Sequence, residues 1–331
     1  MPTNKQWRLA SRPSGWVRAE NFRLVETALP EPKDGEALVE NLWLSLDPYM
    51  RGRMSDAKSY VKGLEIGDVI GGQTVGRVLE SRAPGLESGN TVLTQLGWQL
   101  YGCAKGEHLT KVDGSRVPLT YYLGMLGMPG MTAYFGLKEI GRPKAGETVV
   151  VSAASGAVGS VVGQLAKMGD CRAVGIAGGP KKCDYVVNEL GLDSCVDYKD
   201  QNFERALKQA CAGGVDVYFD NVGGPVLDAV LPLMNLASRL VVCGTIADYN
   251  ANEPYAVRNW RSILVNRIHV QGMIVLDWTN RYGEALQALV AAYAQGRLKT
   301  RESVIEGIEN APQGLIGLLK GENFGKQLVK L

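Results

Sequence analysis

Hydrophobic and polar positions follow two different patterns along this chain. Before Tyr121, short β-type runs at residues 35–44, 71–80 and 91–94 are separated by Gly and Pro. This spacing predicts a small antiparallel, barrel-like domain. From Tyr121 onward, apolar runs alternate with helical stretches, and this alternation predicts a parallel, doubly wound sheet.

The alternating region divides into individual strands and helices. Its apolar, β-branched runs predict strands, and the stretches between them are typical of helices. The tail beyond Gly296 returns to a strand-and-turn pattern and is expected to rejoin the first domain. We therefore expect domains over residues 1–122 and 123–296, with a final segment over 297–331. The predicted strands are 147–152, 171–177, 195–198, 215–220, 239–244 and 269–275, and the predicted helices are 131–140, 160–169, 202–212 and 226–236.

A glycine-containing turn joins the first predicted strand of this region to a helix. Its segment 154–159 differs from the G-x-G-x-x-G fingerprint only in having Ala154 at the position of the first glycine. A strand before the turn and a helix after it are the context that the fingerprint requires. Backbone N–H groups and the helix N-terminus then face a pyrophosphate. The segment predicts a dinucleotide site, and an ordinary βα turn is the alternative.

The end of the second strand indicates which dinucleotide is bound. An NAD site usually has Asp or Glu there, to accept a hydrogen bond from the ribose 2′-OH. This chain has Gly178, Gly179 and then Lys181 and Lys182, with no acid. Small residues and positive charge suit a 2′-phosphate, which a carboxylate would repel. We therefore predict NADP(H), with a solvated helix start as the alternative explanation of the lysines.

Length, composition and charge place the chain among soluble globular proteins. Its 331 residues suggest about two domains, and a net charge of +2 gives no indication of nucleic acid or an anionic membrane as partner. No apolar stretch approaches the roughly 20 residues of a membrane span, and the N-terminus lacks the apolar core of a signal peptide. A cytoplasmic protein that binds a small molecule is expected.

The cysteines and histidines give little indication of a metal site. The six cysteines are widely spaced without a C-x-x-C pair, and the chain has only His108 and His269. Zinc sites need clustered Cys and His ligands, so we predict no metal. Free thiols in a reducing compartment are the favoured interpretation.

Several further motifs, in this order, resemble one known family. The chain resembles the zinc-independent medium-chain dehydrogenase/reductases. Within them, it is most similar to the branch of prostaglandin reductases, plant alkenal double-bond reductases and bacterial curcumin reductases. The resemblance covers nearly the whole chain, and residues 44–56 are most similar to the curcumin reductases. The motifs lie at 47–51 (DPYMR), 127–134 (GMPGMTAY), 153–159 (AASGAVG), 220–224 (DNVGG), 243–250 (CGTIADYN) and 322–326 (ENFGK).

This resemblance implies a fold and an activity. The fold class is α/β, with a GroES-like, partly open β-barrel catalytic domain in two segments that flank a Rossmann domain. The implied activity is NADPH-dependent reduction of the C=C bond of α,β-unsaturated ketones and aldehydes, usually by a homodimer. An NADPH:quinone reductase and a non-catalytic, crystallin-like NADPH-binding protein remain as alternatives.

The resemblance also assigns roles to individual residues. Tyr249 matches the tyrosine that helps to stabilise or protonate the enolate, and Tyr49 and Met131 match positions at the substrate. Lys182 and Tyr198 match the residues that hold the 2′-phosphate. A loop tyrosine and a half-buried aromatic are the structural alternatives for Tyr249 and Tyr49. The implied cofactor contacts are Thr132, Gly156, Ala157, Val158, Gly159, Lys182, Tyr198, Asn221, Cys243, Tyr249, Met273, Val275 and Asn323.

The expected chemistry needs one donor at the substrate oxygen. The nicotinamide hydride adds to the β-carbon of the enone, and negative charge then develops on the carbonyl oxygen as an enolate. A hydrogen-bond donor aimed at that oxygen lowers the barrier. A tyrosine hydroxyl, whose ordinary pKa is about 10, is a neutral donor at pH 7 and requires no metal.

Overall fold

The computed structural model describes residues 3–331. Strands and helices are numbered separately along the chain. The strands are β1 (Asn4–Leu9), β2 (Phe22–Thr27), β3 (Glu36–Ser45), β4 (Thr74–Ser81), β5 (Thr91–Thr94), β6 (Tyr101–Lys105), β7 (Thr110–Lys111), β8 (Thr148–Ser152), β9 (Arg172–Ala177), β10 (Ser194–Asp197), β11 (Val215–Asp220), β12 (Met234–Val242), β13 (His269–Gly272), β14 (Glu302–Glu306) and β15 (Lys326–Lys330). The helices are α1 (Tyr49–Arg53), α2 (Met128–Phe135), α3 (Gly159–Met168), α4 (Pro180–Asn188), α5 (Phe203–Ala210), α6 (Gly224–Val230), α7 (Arg261–Val265), α8 (Tyr282–Ala294) and α9 (Ala311–Leu319).

The chain divides into two compact units. The first contains the described residues up to Gly124 together with Glu302–Leu331, and the second is Met125–Arg301. The sequence placed the corresponding boundaries after residues 122 and 296. Both chain ends therefore belong to one unit, into which the second is inserted.

The first unit is built on a mainly antiparallel sheet. Its strand order is β14-β15-β3-β4-β5-β7, with β6 also paired to β3, and β1 and β2 form a separate two-stranded sheet. Alternating apolar positions of β3 and β4, such as Val39 and Val78, are fully buried between these strands and their neighbours. Near the two-stranded sheet, Phe22 stacks on the buried ring of Trp98 at a centroid distance of 5.5 Å.

The C-terminal segment is part of this sheet. Strand β15 pairs antiparallel with β3, so that Leu328 lies opposite Ser45. The ammonium of Lys326 is buried, where it donates to the Leu46 carbonyl at 2.7 Å and to the Asp47 carboxylate at 2.9 Å. Because breaking such a buried pair would leave an uncompensated charge, it holds the turn before α1 against β15.

The second unit contains a six-stranded, fully parallel sheet with the order β10-β9-β8-β11-β12-β13. Parallel strands that are covered on both faces have almost continuously apolar sequences. Strand β8 is accordingly buried at all five positions. The strand order reverses between β8 and β11, which start the two halves of the sheet. In doubly wound sheets this is the point where a crevice opens at the carboxyl ends of the strands. The core includes Val150, Val174, Ile176, Tyr218, Val230 and Leu240.

Three sequence-predicted elements differ from the structure. The predicted helix 226–236 is wrong over its last residues, because α6 and a short 3-10 turn end at Leu233 and Met234 begins β12. The predicted helix 131–140 starts earlier, at Met128, and continues from Gly136 to Gly141 as a π-helix. The tail contains a helix, α9, where only strands and turns were predicted. Its buried Leu315 and Ile316 explain why apolar residues recur there.

None of the helices in residues 3–331 is both long enough and apolar enough to cross a membrane.

Candidate active site

Most of the predicted site residues follow the carboxyl ends of the parallel strands. The glycine turn follows β8, Lys182 lies beyond β9, Tyr198 follows β10, and Asn221 follows β11. Cys243 directly follows β12, and Met273 directly follows β13. Because the carboxyl ends of parallel strands lie along one edge of the sheet, these residues line the edge where doubly wound folds bind ligands.

The turn after β8 is shaped by close backbone packing. Ala153 adopts a left-handed conformation with φ +52°, although it is not glycine. A Cβ on Gly159 would lie 2.3 Å from the Ala153 carbonyl oxygen, so the first residue of α3 has no room for a side chain. A Cβ on Gly156 would be 3.1 Å from the same oxygen. The glycines of the fingerprint therefore let the turn lie directly against the start of the helix.

This turn leaves amide groups available at the start of α3. The Gly156 and Ser160 amides donate to the carbonyls of Ala153 and Gly156, respectively. Within the described residues, the amides of Ala157 and Val158 donate to no backbone carbonyl. Such N–H groups at a helix N-terminus form an anion site, so this turn fits the pyrophosphate of a dinucleotide.

A buried hydrogen-bond network joins the carboxyl ends of β8 and β11, where the strand order reverses. The fully buried carboxylate of Asp220 accepts hydrogen bonds from the Ser152 hydroxyl at 3.0 Å, the Tyr218 hydroxyl at 2.8 Å and the Val222 and Gly223 amides. The Asn221 side-chain amide donates to the Ser152 carbonyl at 2.8 Å. Asn221 is thereby fixed beside the glycine turn.

Asp220 is a structural residue that the sequence reasoning did not identify. Burial raises its pKa above the usual carboxyl value, and the hydrogen bonds from Gly223, Val222, Tyr218 and Ser152 oppose this rise. A buried carboxylate with so many donors organises the backbone around it. The signal in the sequence was an acid at the last position of an apolar strand.

A positively charged cluster lies beyond β9 and β10. A Cβ on Gly178 would lie 2.8 Å from the Tyr198 ring and 3.1 Å from the Lys199 side chain, so both residues lie directly beside this glycine. The Lys199 ammonium is 5.9 Å from the centroid of the Tyr198 ring. Burial and, secondly, the nearby Lys199 charge lower the pKa of Lys182. Two ammonium groups that repel each other form a site suited to a phosphate dianion.

Asp197 holds the backbone of this cluster in place. One of its carboxylate oxygens accepts from the Gly179 amide at 2.8 Å and from the Lys199 amide at 2.9 Å. The turn at the start of α4 and the turn after β10 are therefore joined. The sequence did not predict Lys199, because the second strand end is where the cofactor preference is expected to show, whereas Lys199 follows the third strand.

The segment after β12 carries Cys243 and Tyr249. Desolvation, with a smaller contribution from Asp220, raises the pKa of Cys243 to about 12, so its thiol is neutral at physiological pH. A Cβ on Gly244 would be 3.4 Å from the Tyr249 hydroxyl and 3.2 Å from the Asn221 carbonyl. The half-buried Tyr249 therefore directs its hydroxyl back to the strand ends.

The loop after Tyr249 is anchored to α6. The buried Asp228 carboxylate accepts from the Tyr255 hydroxyl at 3.0 Å and from the Arg258 and Asn259 amides at 3.0 and 2.8 Å. The Asp248 carboxylate accepts from the Tyr255 amide at 3.0 Å. This loop is thus held by side chains as well as by its own turns.

The remaining predicted residues of the second unit are packed inside it. Met273 is buried and donates its amide to the Val242 carbonyl, and Val275 is also buried. Met131 and Thr132 lie on α2, which packs against α8 and against the turn that begins at Val275. The Thr132 hydroxyl donates to the Met128 carbonyl of its own helix.

Tyr49 and Asn323 belong to the first unit. Tyr49 begins α1, two residues after the Asp47 that pairs with Lys326. Burial and, secondly, the Asp47 carboxylate raise the pKa of the Tyr49 hydroxyl, so it stays protonated over the physiological range. The Asn323 side-chain amide donates to the Gly325 carbonyl at 2.7 Å.

Within residues 3–331, no three His, Cys, Asp or Glu side chains are grouped so that they could hold a metal ion.

Comparison with known proteins gives matches over almost the whole chain. Residues 5–112 match the model described as the N-terminal domain of oxidoreductase, and residues 157–291 match the model described as zinc-binding dehydrogenase. The NADPH-dependent curcumin reductase of Escherichia coli K12 is 46% identical, over 99% of this chain and 97% of the relative. The NADP-dependent 2-alkenal reductase of Nicotiana tabacum is 41% identical over 99% and 97%.

A solved structure agrees with these relatives. The crystal structure of CurA from Vibrio vulnificus in complex with NADPH superposes with a TM-score of 0.94, at 47% identity over 98% of both chains. The chain belongs to the zinc-independent medium-chain dehydrogenase/reductases, in the branch that includes the alkenal and curcumin reductases. Its two units are accordingly the GroES-like catalytic domain and the Rossmann domain that the sequence predicted.

Proposed function

We propose that this protein is an NADPH-dependent reductase of the C=C bond of α,β-unsaturated ketones and aldehydes. The observation that carries the proposal is full-length similarity to reductases of this class, at 41–46% identity. The lysine cluster around Gly178 supports it, because positive charge at that position suits the 2′-phosphate of NADPH.

The cofactor residues divide by the part of NADPH that each would hold. The amides of Ala157 and Val158 at the N-terminus of α3 would bind the pyrophosphate, because they donate to no backbone carbonyl, and Gly156 and Gly159 on either side would let it approach the backbone. On the 2′-phosphate side, Lys182 and Tyr198 would be joined by Lys199, which lies in the same cluster. At the other strand ends and in the first unit, the proposed contacts are Thr132, Asn221, Cys243, Tyr249, Met273, Val275 and Asn323.

Tyr249 is the proposed catalytic residue. When bound, NADPH supplies a hydride to the β-carbon of the substrate. The Tyr249 hydroxyl would donate a hydrogen bond to the carbonyl oxygen, where negative charge develops during the reaction, and so lower the barrier. Its position beside Gly244 and the anchored loop that follows it support this role. Tyr49 and Met131 are proposed to contact the substrate.

We propose that the enzyme is a cytoplasmic homodimer. Strand β13 is an edge of the parallel sheet, and all four of its residues are exposed. Exposed apolar side chains accompany this edge, among them Trp260, Leu264 and Val270 at 63%, 78% and 42% exposure. An unpaired edge beside an apolar surface is suited to pairing with a second copy of the same chain. The six free cysteines are compatible with a reducing compartment.

Oxidation of NADPH, followed by its absorbance in the presence of a small panel of acceptors, tests this proposal. The panel contains a short alkenal, a 15-keto-prostaglandin, curcumin and a quinone, and NADH is measured in parallel. We expect turnover of at least one enone with NADPH and little with NADH. Turnover of the quinone alone would instead favour an NADPH:quinone reductase, and NADPH binding without turnover of any acceptor would favour a non-catalytic protein.

A further inference from the structure

Two thiols on adjacent elements of the Rossmann domain lie against each other. Cys183 is in the first half of α4, and Cys195 is in β10, on which α4 packs. Both residues are partly exposed and carry free thiols. They take no part in the reduction proposed above.

Their placement follows from the packing of α4 on the sheet. Cys195 lies opposite Gly175 in the register of β9 and β10. A Cβ on Gly175 would lie 3.3 Å from the Cys195 sulfur and 2.8 Å from Val186 Cγ1, so this glycine makes room for both side chains. Cys183 lies one turn before Val186 on the same face of α4 and therefore also faces β10.

The two thiols interact directly, and this interaction shifts their pKa values in opposite directions. The hydrogen bond from the Cys195 thiol lowers the pKa of Cys183 and raises that of Cys195 above its usual value. The thiolate is the reactive form of cysteine, so Cys183 is the nucleophile of this pair and Cys195 is positioned to react with it afterwards.

The other cysteines differ in this respect. Burial raises the pKa of Cys103, of Cys171, of Cys211 to about 11 and of Cys243 to about 12. Cys183 is thus the one cysteine among residues 3–331 whose thiolate is favoured. Cys103 lies in the first unit and is half-buried, like Cys183, so it is a suitable control.

The pair joins the two elements that carry the lysine cluster. Cys183 directly follows Lys182 in α4, and Cys195 precedes Asp197, Tyr198 and Lys199 at the end of β10. A disulfide keeps its sulfurs about 2 Å apart, much closer than a thiol hydrogen bond does. We therefore expect closure of the bond to move the first turn of α4 relative to β10, and Lys182 with it.

We propose that Cys183 and Cys195 form a peroxide-sensitive dithiol whose disulfide weakens NADPH binding. The Cys183 thiolate attacks a peroxide oxygen, the O–O bond breaks, and Cys183 becomes a sulfenic acid while water leaves. The Cys195 thiol then attacks the Cys183 sulfur, a second water leaves, and the S–S bond forms. Two thiols are oxidised and one hydrogen peroxide is reduced to two waters.

The effect on the cofactor rests on the 2′-phosphate site of the proposed function, whereas formation of the disulfide does not. By linkage, a disulfide that weakens binding of NADP⁺ must itself form less readily, by the same factor, when NADP⁺ is bound. We expect a factor of about ten, within the usual range of coupling between two sites. Binding of NADH should change little, since NADH has no 2′-phosphate.

Peptide mass spectrometry after brief hydrogen peroxide treatment tests the disulfide. Trypsin releases residues 183–199 as one peptide containing both cysteines, because no Lys or Arg lies between Lys182 and Lys199. The expected product is this peptide lighter by a pair of hydrogen atoms, restored by dithiothreitol, and unchanged in Cys103→Ser. Cys183→Ser and Cys195→Ser should each prevent it. A peptide that keeps both free thiols, or that is over-oxidised without bond formation, would overturn the proposal.

Titration of the reduced and oxidised protein with NADPH and NADH tests the consequence. We expect the Kd for NADPH to rise about tenfold on oxidation, with NADH unchanged and with no change in Cys183→Ser. A disulfide that leaves the Kd for NADPH unaltered would overturn the regulatory role. If the 2′-phosphate site itself were wrongly placed, Lys182→Ala would fail to distinguish NADPH from NADH in the reduced protein, and this outcome is separate from the mass measurement.

Discussion

At the scale of single residues, the predicted 2′-phosphate site places lysine side chains where their positive charges are unfavourable unless an anion is bound. Burial and, secondly, the nearby charge of Lys199 lower the pKa of Lys182. Lysine at a helix N-terminus is unfavourable against the helix dipole, so an anion is needed to offset both effects. The adjacent Lys181 is exposed, whereas Lys182 is half-buried near the charge of Lys199, so Lys181 is the natural reference for Lys182.

Replacement of this lysine should alter cofactor preference. In Lys182→Ala, we expect the KM for NADPH to rise about ten- to a hundredfold, the size of a lost charged hydrogen bond, with little change for NADH. Lys181→Ala should leave both KM values close to those of the wild type. Steady-state kinetics with both cofactors makes the comparison. Equal losses for NADPH and NADH in Lys182→Ala would remove Lys182 from the 2′-phosphate site.

Removal of a single hydroxyl group tests the catalytic tyrosine. Tyr249→Phe should lower kcat for enone reduction about a hundredfold, as loss of one donor to a developing oxyanion does, without changing the Kd for NADPH. Tyr255→Phe is the control, because its hydroxyl bonds to Asp228 in the same loop. A similar loss of kcat in Tyr255→Phe would mean that loop anchoring, rather than hydrogen bonding to the substrate, explains the effect.

At the scale of elements, close contacts between turns and helices decide where the cofactor can lie. The turn after β8 packs so tightly that the first residue of α3 must be glycine, while Asp220 and Asn221 tie that turn to the end of β11. Asp197 does the same for the turns after β9 and β10. The ends of β8, β9, β10 and β11 are therefore fixed by a side-chain carboxylate or amide.

Two glycine-to-alanine substitutions in helices should have opposite effects. Gly159→Ala places a Cβ 2.3 Å from the Ala153 carbonyl, so we expect a loss of about 1–3 kcal/mol in the free energy of unfolding together with weaker NADPH binding. Gly283→Ala in α8 meets no atom within 4 Å and should stabilise by about 0.5–1 kcal/mol. Thermal or urea unfolding measures both. Equal stability of Gly159→Ala and the wild type would contradict the packing described for the turn.

The sequence predicted the parallel strands well because each is a short apolar run bounded by turns. Val215–Asp220 agrees with the prediction at both ends. The end of helix 226–236 was wrong, since Leu236 is apolar but exposed on β12, and hydrophobicity alone cannot separate the two cases. Asp220, Asp197 and Lys199 were missed because their roles depend on contacts between strands that are distant or out of order in the sequence.

At the scale of the whole molecule, the chain forms two compact units, each with its own sheet. The Rossmann unit supplies the strand-end edge, and the catalytic unit is completed by β14 and β15 from the C-terminus. The sheet of the Rossmann unit has an exposed edge at β13, with Leu264 and Val270 beside it. A protein with this edge uncovered would carry a template for unwanted pairing, which a second copy would cover.

Charge placed on this edge should separate the subunits. We expect Leu264→Arg combined with Val270→Arg to convert a dimer into a monomer in analytical ultracentrifugation. Ile66→Arg is the matched control, since Ile66 is 62% exposed but lies in the other unit. Wild-type protein that sediments as a monomer at all concentrations would contradict the homodimer.

Transfer of deuterium from the cofactor to the product tests the proposed reaction most directly. The enzyme is given NADPH labelled with deuterium at the transferable position of C4, together with the best enone of the panel, and the product is examined by NMR. We expect a saturated ketone or aldehyde with deuterium on the former β-carbon and an unlabelled carbonyl carbon. Deuterium on the carbonyl carbon of an allylic alcohol would show that the enzyme reduces the C=O bond, and would contradict the proposed reaction.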